Sequence, residues 1–240
     1  MHIKQVLGKI KKACDLYNLI DDGDKIAIGL SGGKDSITLL TCLSMLKKFY
    51  TKKFDLVAIS VDLFGGKTDY LKIKEYCKKL DVQLEIVNSN IYKIVFEIRK
   101  EAHPCSLCAN LRRGFLNKTA KQLGCNKIAL GHHADDLIET FFMSLLHESR
   151  LNTFLPKTKL TNNDLYVIRP MILVFEKEII EISRDIPILQ NKCPADKHTE
   201  RENIKNLIQG ISKRIPEVEQ KILSALIHPE RNYLFDKLKN

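Results

Sequence analysis

Apolar residues in this chain recur with two periods, and the periods alternate. Ile3, Val6, Ile10, Ala13 and Tyr17 fall three or four apart, so residues 1–22 read as an amphipathic N-terminal helix. The compact apolar run Lys25–Leu30 (KIAIGL) reads as a strand, and Leu40, Leu43 and Leu46 restore helical spacing over Ile37–Phe49. The alternation continues with a strand at Asp55–Val61, a charged helix over Thr68–Leu80 and a strand at Gln83–Val87. A helix over Ala109–Leu123 stops at Gly124 and feeds a fourth strand, Lys127–Leu130. Asp135–His147 is a further helix and Leu165–Ile168 a fifth strand. Strands alternating with helices predict an α/β fold, a doubly wound parallel sheet of about five strands. Beyond Pro187 the strand pattern stops, and helices around Glu200–Gly210 and Glu217–Ile227 predict a helical C-terminal appendage. The expected organisation is an N-terminal helix at 1–22, a central domain at 23–186 and a small helical region at 187–240.

Charge narrows the partners. The 240 residues include 39 Lys and Arg against 29 Asp and Glu, a net charge of +10. Such a surface is either simply well solvated or suited to a polyanion, nucleic acid first. No run of about 18 apolar residues occurs, so no membrane span is expected. The basic start MHIKQVLGKIKKACDL lacks the apolar centre of a signal peptide. Seven cysteines, an odd number in a Lys-rich chain, predict a reducing cytoplasm. There, a close cysteine pair is a metal ligand or redox group rather than a structural disulfide.

Three strings carry candidate chemistry. Ser31-Gly32-Gly33-Lys34-Asp35-Ser36 lies directly between a strand and a helix. Its glycines let the backbone approach a ligand, the helix N-terminus favours an anion, and Ser36 offers a hydroxyl, so the turn reads as a phosphate cradle. It is not a Walker loop, which would need Gly at position 28 and Ser or Thr at 35, where Ile28 and Asp35 stand. The plain alternative is a glycine-rich βα turn without a ligand. Gly131-His132-His133-Ala134-Asp135-Asp136 follows the fourth strand, which puts it at the same sheet edge as the glycine turn. Asp135 and Asp136 there suit Mg²⁺, or merely an N-cap and a first-turn carboxylate. Adjacent His132 and His133 diverge, which disfavours zinc. Cys105-Ser106-Leu107-Cys108 opens a helix containing Arg112 and Arg113. Two sulfurs at a helix N-terminus suit a redox disulfide, zinc, or an iron–sulfur cluster with further ligands, and spacing alone leaves all three open.

SGGKDS resembles the pyrophosphate-loop motif of the PP-loop ATPases, the adenine-nucleotide α-hydrolase group, and GHHADD resembles that group's second motif. PCSLCANLRRGFL, KIALGHHADD and VIRPM together resemble the tRNA 2-thiocytidine synthetase family, over essentially the whole chain from about Asp21. The resemblance implies ATP cleavage to AMP and pyrophosphate, adenylation of a tRNA base carbonyl, most simply C2 of cytidine 32, and replacement of that oxygen by sulfur. It implies that Ser31, Gly32, Gly33, Lys34, Asp35 and Ser36, with Gly131, His132 and Asp136, bind the nucleotide. Lys34, Asp35 and Asp135 would act in catalysis with Cys105 and Cys108, and Asp35 with Asp135 or Asp136 would hold Mg²⁺ or position the nucleotide. It further implies a 4Fe-4S cluster on Cys105, Cys108 and a later cysteine, for which Cys193 fits by order. Cys14, Cys42, Cys77 and Cys125 read as small apolar packing residues. Expected partners are tRNA and a sulfur donor, either a cysteine desulfurase or free sulfide; a homodimer is compatible with the sequence. Two other readings stay open: a cluster-free PP-loop enzyme adenylating another substrate, and a zinc-stapled RNA-binding module.

Overall fold

The computed structural model describes residues 3–99, 104–161, 164–184, 186–189 and 200–231. Two compact units divide the chain: Met1–His133 with Leu155–Ala195, and Ala134–Phe154 with Asp196–Asn240.

The first unit is built on a six-stranded sheet of order β3-β2-β1-β4-β6-β5. Its strands are β1 (Asp24–Gly29), β2 (Phe54–Asp62), β3 (Gln83–Asn88), β4 (Lys127–Ala129), β5 (Lys157–Lys159) and β6 (Tyr166–Ile168). β1 is central and parallel to both neighbours, with Ala27 opposite Val57 on one side and Ile128 on the other. β6 continues the parallel set beside β4, and β5 pairs with it antiparallel. The five expected parallel strands are therefore present. β5 escapes the hydrophobic pattern because Lys-Thr-Lys has no apolar alternation; lysines on an edge strand discourage further pairing.

Side-chain alternation splits the core into two faces. Ile26, Ile28 and Ala58 point to one face, against α1 (Ile3–Leu16) and α2 (Lys34–Lys47) through Ile10, Leu40 and Leu43. Ala27, Val57, Ile59 and Ile128 point to the other, against Ala120 of α4 (Pro104–Gln122). Each fully buried Leu or Ile contributes roughly 1.5–3 kcal/mol, and the first face holds most of them. Gly29 keeps α4 close: a Cβ there would lie 3.1 Å from Leu116 of that helix. α3 (Leu71–Lys79) leads to β3, and a π-helical turn over Lys93–Ile98, which the sequence pattern misses, lies between β3 and α4. α6 (Glu176–Ile182), also missed, is stapled by Glu178, which accepts from Phe175 N at 2.9 Å and pairs with Lys9 at 2.6 Å.

The second unit packs α5 (Ala134–Glu148), α7 (Glu200–Ser212) and α8 (Val218–Ile227) around Leu137, Ile138, Ile204, Ile208 and Leu223. Arg201 ties α7 to α5, donating to Asp136 at 3.2 Å and Glu139 at 3.1 Å. Burial pushes the Glu139 carboxyl up from its ordinary range, and Arg201 opposes that rise. No described helix is long and apolar enough to cross a membrane.

The N-terminal edge of the sheet is closed by charge. Lys127 Nζ lies 2.6 Å from both Asp21 and Asp24, and Lys127 and Asp24 side chains are each 3% exposed. Asn126 donates to Asp24 at 2.7 Å, completing the cluster. Lys127→Met leaves Asp24 buried without its cation and should cost about 3 kcal/mol, whereas breaking only the exposed half with Asp21→Asn should cost under about 1 kcal/mol. Urea unfolding of the two variants checks this; equal losses would contradict it.

Candidate functional site

Because five strands run parallel, the loops after β1, β2 and β4 share one edge. The chain winds outward from β1 through β2 to β3 and then returns to the far side of β1 with β4. That reversal opens a crevice between the ends of β1 and β4, the position where ligands bind in such sheets.

Ser31–Ser36 forms one wall of the crevice. Gly32 has φ +83°, and a Cβ on it would come within 2.4 Å of the Leu189 side chain. The Leu189 N–H donates to Gly32 O at 2.9 Å, so the chain at 186–189 lies directly on the loop. Gly33 precedes α2 in extended conformation, and no side chain caps the helix start. Uncapped N–H groups and the positive end of the helix are what an oxyanion requires. Ser31 and Ser36 hydroxyls lie 3.1 Å apart, and Ser36 donates to Gly33 O at 2.9 Å, fixing the loop from within. The opposite wall is Gly131. A Cβ there would stand 3.1 Å from the carbonyl carbon of Asp35 and 3.2 Å from Ser36 N, so glycine lets β4's loop meet α2's backbone without displacing it. His133 follows, buried, with Nε2 3.9 Å from Asp35 Oδ1. His132 is half-buried. Asp135 and Asp136 stand in the first turn of α5 in the second unit, where Asp136 meets Arg201.

Lys34 Nζ lies 3.1 Å from Asp35 and 3.0 Å from Glu176. Burial pulls its pKa down, but Asp35 and Glu176 outweigh burial and hold it above the ordinary lysine value. Lys34 is thus a secured cation at the mouth of the loop.

A pocket of about 260 Å³ opens beside Ser31 and Gly33. Its other walls come from β2's end, Val61–Phe64 with Thr68 and Tyr70, and from Arg112 and Leu189. Asp62, 1% exposed, shapes this wall: its carboxylate accepts from Phe64 N at 3.3 Å, from Gly66 N and from the Thr68 hydroxyl. Phe64 starts a ring ladder with Tyr92 and Phe96, at centroid separations of 5.1 Å each. Sequence reading misses this wall. Asp62 followed by Gly65-Gly66 at positive φ was the legible signal. Arg112 of α4 lines the pocket. Arg169 donates to Leu155 O at 2.6 Å and Thr158 Oγ1 at 3.1 Å, and burial, with Arg113 nearby, lowers it to about 10.

The cysteines divide by exposure. Burial pushes the Cys14 and Cys42 thiols up to about 12 and Cys77 to about 11, and it also raises Cys125. Those four are inert packing, as their sequence positions suggest. Cys105 is exposed and Cys108 half-buried, in the first turns of α4. Cys108 precedes Arg112 by four residues, about 6 Å along the axis, so the thiols lead into the pocket wall. Two neighbouring thiols at a helix start fit a thiophilic metal or cluster; among the described residues no group of three His, Cys, Asp or Glu side chains forms a metal cage. Cys193 lies outside the described residues.

A family model described as a PP-loop domain matches residues 3–210. The tRNA-cytidine(32) 2-sulfurtransferase of Aliivibrio fischeri (strain MJ11) is 39% identical over 224 residues, 92% of this chain and 73% of the relative. That of Idiomarina loihiensis is 38% identical over 237 residues, 97% and 79%. Among solved structures, the U34-tRNA thiolase NcsA of Methanococcus maripaludis, with its 4Fe-4S cluster, superposes with TM-score 0.76 at 22% identity, covering 98% of this chain and 81% of that one. NMN synthetase from Francisella tularensis gives 0.51 at 15%, covering 99% of each. The fold and the crevice therefore define a PP-loop protein of the α/β class. Within that class, the chain belongs to the tRNA-cytidine(32) 2-sulfurtransferase family.

Gly32→Ala should strain a left-handed residue and drive Leu189 off the loop. The expected result is nucleotide binding weakened at least about tenfold with the sheet intact, because strained non-glycine backbone costs of order 1–3 kcal/mol. Calorimetric titration of a non-hydrolysable ATP analogue and far-UV dichroism read the two effects. In native protein freed of metal, iodoacetamide should label Cys105 and Cys108 while Cys14, Cys42, Cys77 and Cys125 stay protected until denaturation; peptide mass mapping decides it.

Proposed function

We propose that the chain is an ATP-dependent tRNA thiolase that exchanges the C2 oxygen of cytidine 32 for sulfur. The carrying observation is the continuity of α4, which brings Arg112 to the pocket beside the phosphate loop and holds Cys105 and Cys108 in the turns just before it. Sulfurtransferase relatives at 38–39% identity support the same reading.

ATP would lie along Ser31, Gly33 and the open start of α2, its phosphates accepting from the loop N–H groups and the Ser36 hydroxyl. Lys34, already paired with Asp35 and Glu176, neutralises the charge of the departing pyrophosphate. Asp35 is the loop carboxylate available to Mg²⁺. The C2 oxygen attacks the α-phosphorus, the α–β bridge breaks, and pyrophosphate leaves. Sulfur then bonds to C2, and the C–O bond breaks with the oxygen departing on AMP, a far better leaving group than hydroxide. A 4Fe-4S cluster on Cys105, Cys108 and Cys193, when bound, would supply that sulfur. The sulfur itself would come from a cysteine desulfurase or free sulfide.

Thionucleoside profiling of tRNA from a deletion strain, with anaerobic iron and sulfide analysis of the purified protein, tests the reading. Lys34→Ala and Asp35→Ala should each lower AMP formation by about a hundredfold or more, on the scale of a lost oxyanion donor, with fold and iron retained. Cys193→Ala should lose iron as severely as Cys105→Ala, and Cys42→Ala should not. Full iron, sulfide and thiolation in Cys193→Ala would refute the three-cysteine site.

A further inference from the structure

We propose that the outer face of α4 is the docking surface for the phosphate backbone of the tRNA, with Lys118 and Lys121 as its phosphate contacts. The proposal rests on the tRNA reading above and adds to it a place on the protein.

α4 has 19 residues, of which only Ala120 is fully buried. Its charges are Arg112, Arg113, Lys118 and Lys121, and it contains no carboxylate. A solvated helix face ordinarily mixes both signs at i, i+4 spacing. Lys11 on α1 shows that spacing with Asp15. Lys118 and Lys121 make no ion pair among the described residues. They border a shallow groove of about 460 Å³ whose other walls are Gly114, Asn117 and Gln122. Those positions, at i, i+3, i+4, i+7 and i+8, form one stripe. At Gly114 an added Cβ would meet nothing within 4 Å, so the groove floor is open backbone.

The chemistry of the lining selects the occupant. Ammonium and amide groups without an acid are the usual donors to phosphate oxygens. The groove holds no Trp, Tyr or other aromatic anchor of the kind that dominates protein–protein contacts. Lys118 and Lys121 lie ten and thirteen residues beyond Cys108, roughly 15 and 20 Å along the axis at 1.5 Å per residue. Lys121 stands half a turn around the helix from Arg112, so an RNA whose reacting base sits at the cysteine end of α4 meets this face by passing around the helix.

The test compares two double variants of the full-length holoenzyme with equal charge loss. One is Lys118→Gln with Lys121→Gln. The control is Lys78→Gln with Lys79→Gln on the exposed side of α3. Affinity for tRNA transcript is measured across a salt series, alongside KM and kcat for thiolation, ATP-analogue affinity and iron content. The α4 pair should weaken tRNA binding about tenfold or more near 0.1 M salt and flatten the log–log salt slope by about 1–2. Its KM for tRNA should rise while kcat, ATP-analogue affinity and iron stay at wild-type values; the α3 pair should stay within about twofold on every measure. Wild-type tRNA affinity in the α4 pair, or an equal loss in both pairs, overturns the proposal. So does an α4 pair that binds tRNA normally but loses sulfur from a protein donor and keeps it from free sulfide, which would make the face a donor-protein site. Wild-type protein that binds tRNA through this face yet forms no thiocytidine would keep the docking surface and refute the activity.

Discussion

The absence of a side chain at Gly131 is the constraint on which the crevice depends. β1 and β4 run in register to Ile28 and Ala129, and beyond that point their loops must separate or touch. They touch: Gly131 lies so near the backbone of Asp35 and Ser36 that a Cβ at 3.1–3.2 Å would push it back by a few tenths of an ångström. The phosphate loop is held from the other side by Leu189, bonded to Gly32. A loop clamped between two chain segments, with its hydroxyls bonded internally, has little freedom left to lose on binding. Preorganisation of that kind favours binding because its ordering cost falls on folding rather than on ligand capture.

The two ends of the sheet use charge in opposite ways. At the N-terminal edge, buried Lys127 and Asp24 satisfy one another with Asn126, and Asp21 covers the pair from the solvent side. At the C-terminal edge, the α2 start is uncapped and its N–H groups have no side-chain acceptor. A closed network favours stability, and an open one leaves electrostatic potential unspent until an anion arrives. The partition follows from parallel topology, which gathers every β-to-α loop at one edge.

Most of the sheet could be read from the sequence because its central strands carry short apolar runs such as IAIG and LVAI. The glycine turn, the cysteine pair and GHH were legible as local strings, and the structure of the first unit brings Gly131 and His133 against Asp35. What was illegible is non-local or weakly patterned. β5 is Lys-Thr-Lys and exists only because β6 offers it a free edge. The π-helical turn at Lys93–Ile98 breaks the 3.6-residue period by which helices are recognised. Asp62 falls just past the strand read at Asp55–Val61; its organising role appears once Gly66 and Thr68 fold back onto it. Glu176 and Leu189 reach the loop from far along the chain, and no spacing rule encodes such contacts.

α4 gathers these features because its faces are separately committed. Its inner face packs through Ala120 and Leu116 on a core smaller than that of the other sheet face, with Ala27, Val57, Ile59 and Ile128 at its centre, and the missing Cβ of Gly29 lets Leu116 sit close. At about 100° per residue, Cys108 and Arg112 stand about 40° apart, on the side that turns toward the pocket. Lys121 lies half a turn around from Arg112, on the side that turns away from it. A helix packed on a broad core would have to bury more of its surface and could not leave a long acid-free face in water. The thin core beneath α4 is thus the condition that lets one helix carry thiols and a pocket arginine on one side and an open cationic groove on the other.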